Sequence, residues 1–135
     1  MSSPPVAKSK ILAVDDNRAN LVALDAVLSR QYDLVFANSA AEAISYLKAH
    51  QDLDVILMDV QMPLMDGYDA ASIIKTLPGC SEIPLIFVTA HFQEDPHVKR
   101  GYAVGAVDYF SKPFDPDILR LKVGVYASFR LQHLF

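Results

Sequence analysis

The chain has 135 residues, of which 52% are hydrophobic and 21% charged, with a formal net charge of −4. This length suits a single domain with a continuous core, and the composition is too apolar for a disordered segment. The negative balance argues against direct binding of nucleic acid by this domain, because phosphate recognition needs a basic face. No apolar run is long enough to span a bilayer, so we expect no membrane insertion. Cys80 is the one cysteine, and an unpaired thiol without a secretory signal favours a cytoplasmic location.

Short apolar segments alternate along the chain with segments in which apolar residues have helical spacing. The short segments are rich in β-branched and aromatic residues, which is typical of strands covered on both faces. The predicted strands are ILAV (11–14), DLVF (33–36), DVILM (54–58), PLIFV (84–88) and AVDYF (106–110). The predicted helices span residues 18–29, 40–49, 69–77 and 96–102, and a fifth begins at Asp115-Pro116, a capping acid followed by a first-turn proline.

The last helical segment is longer than is needed to cover a sheet. Its spacing predicts an inner apolar stripe, formed by Ile118, Leu121, Val125 and Phe129. Residues 1–8 are predicted to form a flexible leader and residues 9–128 the folded domain. We interpret residues 129–135 as an extension of the last helix that links to a further module or pairs two copies in a homodimer.

Five strands alternating with helices predict an α/β fold in which right-handed crossovers place helices on both faces of one parallel sheet. The expected architecture is a single-domain, doubly wound, five-stranded sheet with strand order 2-1-3-4-5. In this order the connections change direction between the first and third strands. The ligand crevice is therefore expected there, at the carboxyl ends of the strands.

Polar residues stand at the carboxyl ends of four of the predicted strands. Asp15 and Asp16 follow the first strand, Asp59 the third, Thr89 the fourth and Lys112 the fifth. Three neighbouring carboxylates repel one another when all are ionised, which favours a cation among them, and a hard divalent ion such as Mg²⁺ suits oxygen ligands. With Lys112 as a second cation, these residues predict a site that can bind a phosphoryl group attached to Asp59.

Four motifs in order resemble a known family. They are AVDDN (13–17), ILMDVQMPLMDG (56–67), FVTA (87–90) and DYFSKPF (108–114). In sequence and spacing they are similar to the receiver domains of two-component response regulators over residues 9–128. The resemblance implies a flavodoxin-like fold, in either a free regulator or the receiver part of a hybrid histidine kinase.

The resemblance also implies a role for each site residue. Asp59 would be phosphorylated by the phosphohistidine of a histidine kinase or a histidine phosphotransfer protein. Asp16 would bind Mg²⁺ directly and Asp15 through water, and Asp59 and the backbone carbonyl of Gln61 would complete the protein ligands. Gln61 and His91 would flank the path of the hydrolytic water and modulate the lifetime of the phosphoaspartate.

The same family implies a conformational switch and no turnover of an external substrate. Lys112 would pair with the acceptor and then with the phosphoryl group, Thr89 would move toward the phosphate, and Tyr109 would turn inward behind it. The change would reach the face made by the fourth helix, fifth strand and fifth helix. The bond between Lys112 and Pro113 is expected to be cis. The chain would assist only its own phosphorylation and dephosphorylation.

Other interpretations of these residues remain open at this point. A haloacid-type phosphatase also forms an aspartyl phosphate, but it needs a second acid two residues after the nucleophile, where Gln61 stands. A flavodoxin-like FMN carrier would share the architecture, but the acidic pair would repel the FMN phosphate. Asp15 and Asp16 could simply cap a helix, Lys112 could be an ordinary solvated lysine, and Tyr109 could be an ordinary core aromatic.

Overall fold

The computed structural model describes residues 8–90, 102–106 and 108–133, with side chains described through residue 128. The chain forms five parallel strands in one sheet of order β2-β1-β3-β4-β5. The strands are β1 (Ser9–Val14), β2 (Tyr32–Ala37), β3 (Val55–Asp59), β4 (Leu85–Thr89) and β5 (Asp108–Ser111). The helices of the described residues are α1 (Arg18–Leu28), α2 (Ala40–Ala49), α3 (Gly67–Ile74) and α4 (Pro116–His133), which we call the C-terminal helix. The predicted fold class and strand order are confirmed.

Two apolar cores lie on opposite faces of the sheet, because successive strand residues point to opposite sides. On one face Leu12, Met58 and Phe87 pack with residues of α2 and α3. On the other face Leu57 and Val88 pack with residues of α1 and the C-terminal helix. The central strands β3 and β4 are buried at every position, as their continuous apolar sequence predicts.

The edge strand β2 differs from the expectation that every strand is covered on both faces. Asp33 and Phe36 are exposed, and only Ala37 is fully buried in this strand. The expectation is wrong for β2 because an edge strand has only one neighbour, here β1, and the flanking helices cover it incompletely.

Side-chain caps fix the starts of the helices. Asn17 caps α1 by accepting from the Ala19 amide, and Ser39 caps α2 by accepting from the Glu42 amide, the position predicted for it. Asp66 caps α3 through the Asp69 amide, so this helix begins at Gly67 and not at residue 69. It ends at Ile74, three residues before the predicted end.

The predicted inner stripe of the C-terminal helix is wrong. Ile118, Leu121 and Val125 are 46%, 69% and 56% exposed. Facing the sheet instead, with at most 4% exposure, are Leu119, Val123 and Ala127. Apolar residues occur on both sides of this helix, so periodicity alone did not determine its orientation. The Asp115 side chain caps the helix by accepting from the backbone amides of residues 117 and 118. Val123 and Ala127 have small side chains, which allow the helix to lie close to the sheet.

Some predicted segments lie outside the described residues. They include residues 1–7 of the leader, almost all of the predicted helix at 96–102, and the side chains of residues 129–135. The backbone of the C-terminal helix continues through His133. In the part of the chain that the structure describes, no helix has the length and apolar character needed to cross a membrane.

Candidate functional site

Three carboxylates meet at the carboxyl ends of β1 and β3. Asp15 follows Val14, which pairs with Met58, so Asp15 lies next to Asp59 at the carboxyl ends of these two strands. One carboxylate oxygen from each of Asp15, Asp16 and Asp59 lies within 4.8 Å of the others. Asp15 and Asp59 are buried and Asp16 is exposed, so the cluster has one side open to solvent.

Lys112 brings a cation between two of these acids. Its Nζ donates to Asp15 Oδ2 at 2.9 Å and to Asp59 Oδ1 at 3.0 Å. The Lys112 amide donates to the Thr89 carbonyl at 2.9 Å, which extends the β4–β5 pairing by one residue. The Lys112–Pro113 peptide bond is cis in the structure. The two hydrogen bonds of Nζ place the lysine side chain across the carboxyl ends of β1 and β3.

The environment shifts the protonation of both partners. Burial raises the pKa of Asp59 to about 6, and the negative charge of Asp15 adds to the rise, while the hydrogen bond from Lys112 opposes it. Burial alone would lower the pKa of Lys112, but its hydrogen bonds to Asp15 and Asp59 outweigh that effect and raise it. Lys112 therefore remains an ammonium group at neutral pH, and the site has a negative excess that one lysine does not neutralise.

Two residues that were not predicted from the sequence, Asn17 and Asn20, hold Asp15 in place. The backbone N–H of Asn17 donates to Asp15 Oδ1 at 2.9 Å, and the side-chain Nδ2 of Asn20 donates to Asp15 Oδ2 at 3.1 Å. Asn17 is the N-cap of α1, and Asn20 lies in the first turn of this helix. The sequence could have predicted the contact between Asn20 and Asp15, because the two residues are five positions apart and the first turn of α1 faces the same rim.

Gly67 has a role beyond starting α3. A Cβ built on Gly67 would lie 2.2 Å from the Asp59 carbonyl oxygen, and the Gly67 amide donates to the Val60 carbonyl at 2.8 Å. No larger residue fits against the backbone of Asp59 without displacing it. Leu64 lies in the loop between β3 and α3, and its side chain is fully exposed. Its φ of 72° is a left-handed backbone conformation, which costs an L residue about 1–2 kcal/mol.

The other predicted site residues occupy distinct positions. Thr89 is buried and ends β4, one residue beyond Val88, which pairs with Asp59. Tyr109 is only 3% exposed and lies in the aromatic part of the core, beside Phe87 with ring centroids 5.4 Å apart. Gln61 is exposed and lies two residues after Asp59, the last residue of β3. His91 lies outside the described residues.

The acidic residues fit a hard divalent cation. The cluster has three carboxylates against one ammonium, its ligand atoms are oxygens, and the exposed Asp16 leaves access from solvent. Mg²⁺ prefers one or two carboxylates together with water and phosphate oxygens, a set that this rim can supply.

Comparisons with known proteins agree with this geometry. Residues 11–124 match the family model described as the response regulator receiver domain. The chain belongs to this family. Receiver domains are phosphoacceptor modules of two-component systems and interact with histidine kinases or phosphotransfer proteins.

Three curated relatives illustrate how receiver domains are combined with other regions. The chain is 38% identical over 122 residues to the transcriptional regulatory protein YvrH of Bacillus subtilis, covering 89% of this chain and 49% of that protein. It is 37% identical over 127 residues to the histidine-protein kinase BarA of Escherichia coli K12, covering 90% of this chain and 14% of that protein. A probable cyclic di-GMP phosphodiesterase of Vibrio cholerae is 33% identical over 128 residues, covering 95% of this chain and 29% of that protein. The receiver chain spans half or less of each of these relatives.

Solved receiver structures have the same fold. The chemotaxis protein CheY4 of Vibrio cholerae is 29% identical, with a TM-score of 0.81 and coverage of 89% of this chain and 99% of that one. The receiver domain of the sensor histidine kinase PA1611 from Pseudomonas aeruginosa is 28% identical, with a TM-score of 0.82 and coverage of 90% of this chain and 99% of that one. The PA1611 domain has a magnesium ion coordinated in its active site cleft.

Proposed function

We propose that Asp59 of this receiver domain accepts a phosphoryl group from the phosphohistidine of a histidine kinase or histidine phosphotransfer protein. The observation that carries the proposal is the position of Lys112 Nζ, within 3.0 Å of an oxygen of Asp59 and 2.9 Å of an oxygen of Asp15. The buried acceptor carboxylate thus has a cation on one side and an acidic cluster that can hold a second cation nearby.

Asp15, Asp16 and Asp59, with the backbone carbonyl of Gln61, are proposed to hold Mg²⁺. When bound, Mg²⁺ supplies positive charge beside the phosphoryl oxygens. Asn17 and Asn20 fix the orientation of Asp15 before the ion arrives, because their donors already occupy its oxygens at 2.9 Å and 3.1 Å.

In the proposed transfer, one carboxylate oxygen of Asp59 attacks the phosphorus atom of the phosphohistidine. An O–P bond forms as the P–N bond breaks, and the electron pair of that bond leaves with the imidazole nitrogen of the partner. Lys112 donates to the phosphoryl oxygens as their charge develops, which stabilises the transition state. Ionised Asp59 is the nucleophile, and a divalent cation held beside it would favour that ionised form.

The signal is proposed to pass from Thr89 to Tyr109. Phosphorylation adds about −1.5 to −2 charges, and a hydroxyl donor drawn toward them compensates part of that charge. Thr89 lies two residues after Phe87 on the same strand, and Phe87 pairs with Tyr109 across β4 and β5. Alternate residues share one face of a strand, so Thr89, Phe87 and Tyr109 lie on the same side of the sheet. Gln61 and His91 are proposed to modulate the lifetime of the phosphoaspartate.

The experiment is phosphorylation with acetyl phosphate and Mg²⁺, followed by intact-mass measurement and peptide mapping. We expect one hydroxylamine-sensitive phosphoryl group per chain on Asp59, none on Asp59→Asn, and a weaker response to Mg²⁺ in Asp16→Ala. Asp25→Asn on the exposed side of α1 is the control, and it should be labelled like the wild type. Full labelling of Asp59→Asn would mean that the acceptor is wrongly assigned, and steady turnover of an external phosphomonoester would favour a phosphatase.

The exposed side of the C-terminal helix supports a proposed homodimer or partner contact. Ile118, Leu121 and Val125 form an apolar stripe that faces away from the sheet. The chain is proposed to act in the cytoplasm, either as a free regulator or as the receiver part of a hybrid kinase. The partner that covers this stripe would differ between these two cases. Measuring the molar mass with and without acetyl phosphate tests the dimer, which Leu121→Asp should abolish and the exposed Ser72→Asp on α3 should not.

A further inference from the structure

Two buried tyrosines join the start of α3 to β5. The Tyr109 hydroxyl donates to the Tyr68 hydroxyl across 3.1 Å, and the two side chains are 3% and 1% exposed. Tyr68 is the second residue of α3, directly after Gly67, which lies against the backbone of Asp59. This contact connects the start of α3, where Gly67 lies against Asp59, with β5, which carries Tyr109.

The rings around this contact form a continuous aromatic cluster. Phe87 lies between the two tyrosines, with its ring centroid 4.8 Å from that of Tyr68 and 5.4 Å from that of Tyr109. Tyr102 adds an edge contact to Tyr109 at 5.1 Å. Ring contacts of this kind stabilise an inward Tyr109 whether or not it has a hydroxyl group. The hydroxyl pair adds a directional bond that exists only when Tyr109 is inward.

We propose that Tyr68 is a positioning residue for Tyr109, and that its hydroxyl sets how much of the Tyr109 equilibrium lies inward before Asp59 is phosphorylated. This inference rests on the proposed role of Tyr109 as the switch. An outward Tyr109 would leave the buried Tyr68 hydroxyl without this bond, so the outward position carries a cost that phenylalanine at residue 68 would not impose. Tyr68 therefore biases the domain toward its signalling conformation before phosphorylation. Phosphorylation then changes the fraction of molecules with an inward Tyr109 by a smaller amount.

The test measures the position of Tyr109 directly. The protein is labelled with 3-fluorotyrosine at its six tyrosines, and the Tyr109 resonance is assigned by its loss in Tyr109→Phe. The change in ¹⁹F shift between H₂O and D₂O reports the exposure of that ring. In Tyr68→Phe we expect the inward-to-outward ratio to fall about fivefold, the equivalent of a hydrogen bond worth about 1 kcal/mol. Acetyl phosphate with Mg²⁺ should then shift Tyr109 inward further in Tyr68→Phe than in the wild type.

Tyr46→Phe on α2 is the matched control, because it also removes one tyrosine hydroxyl but lies outside the aromatic cluster. It should leave the Tyr109 signal unchanged. The inference is overturned if Tyr109 is as shielded in Tyr68→Phe as in the wild type, or if Tyr46→Phe exposes it equally. If Asp59 of the wild type takes no phosphoryl group, the proposed function fails, while the comparison without phosphodonor still tests Tyr68.

A double-mutant cycle provides a second test that does not depend on the label. The unfolding equilibria of the wild type, Tyr68→Phe, Tyr109→Phe and the double variant give the coupling between the two hydroxyl groups. We expect a coupling of about fivefold in the unfolding constant. Additive effects would contradict the inference.

Discussion

Lys112 Nζ lies 2.9 Å from Asp15 Oδ2 and 3.0 Å from Asp59 Oδ1, so one ammonium group joins the ends of β1, β3 and β5. The residues are 97 and 53 positions apart along the chain. The lysine side chain is 18% exposed, and the two carboxylates are more deeply buried. A charge pair in such surroundings orders the site, although the cost of burying its charges offsets much of its attraction.

Replacing Lys112 by Met should destabilise the domain in EDTA. Removing one partner of a buried ion pair typically costs about 3–5 kcal/mol. Loss of the Lys112 charge raises the pKa of Asp59 further, so protonation of Asp59 in the variant should limit the loss here to about 2–3 kcal/mol. Urea unfolding at pH 7 measures it. Lys122→Met is the control: Lys122 pairs with the half-buried Asp108 at 3.3 Å and donates to the Tyr109 carbonyl at 2.9 Å, and this more exposed lysine should lose less. Added Mg²⁺ should stabilise Lys112→Met more than the wild type, and an equal gain would contradict the charge argument.

Replacing Asp59 by Asn should stabilise the metal-free protein above pH 7. The pKa of Asp59 is raised from 3.8 to about 6 in the folded state, so the folded form binds the proton more tightly than the unfolded form. The resulting stabilisation of the folded state is fully present below about pH 4 and is lost as the pH rises through 6. A shift of about two units corresponds to at most about 3 kcal/mol.

The measurement is the denaturation midpoint of both proteins in EDTA between pH 4 and 8. The advantage of Asp59→Asn should be largest at pH 8 and shrink as the pH falls. Asp52→Asn is a control of opposite sign, because the hydrogen bond from Lys10 lowers the pKa of Asp52. A pH-independent difference for Asp59→Asn would contradict the assignment of the raised pKa.

Replacing Gly67 by Ala should disturb the backbone of Asp59 directly. The added Cβ would lie 2.2 Å from the Asp59 carbonyl oxygen, so the backbone of Asp59 or of α3 must move. We expect a loss of about 2–3 kcal/mol, typical of overpacking, and slower phosphorylation of Asp59. Gly124→Ala is the matched control: its Cβ would meet only the Tyr32 hydroxyl, at 3.5 Å. It should stabilise the helix by about 0.5–1 kcal/mol, and equal effects of the two changes would contradict the steric argument.

The orientation of the C-terminal helix can be tested with two leucines. Leu119 is 1% exposed and Leu121 is 69% exposed. Leu119→Ala should cost about 2–4 kcal/mol through the cavity it leaves, whereas Leu121→Ala should change the free energy of unfolding by less than about 0.5 kcal/mol. Chemical denaturation of the monomer measures both. The reverse order would restore the inner stripe that the sequence suggested.

The sequence of this protein determined its fold class, its strand order and the identity of the acidic rim. Strand and helix signals are local, and parallel topology then brings the carboxyl ends of the strands together, so Asp15, Asp59, Thr89 and Lys112 were predictable as neighbours. Motif order made the family recognisable. The roles of individual residues in phosphate transfer and switching remain predictions.

Only the tertiary structure decided which side of the C-terminal helix is buried, that the first turn of α1 holds Asp15 through Asn17 and Asn20, and that Tyr109 bonds to Tyr68. Each depends on how elements distant in the chain approach one another. An amphipathic pattern with apolar residues on two sides does not specify which side meets the sheet. A hydrogen bond between residues 41 positions apart has no local signal, because its partners meet only after α3 and β5 have packed against β4.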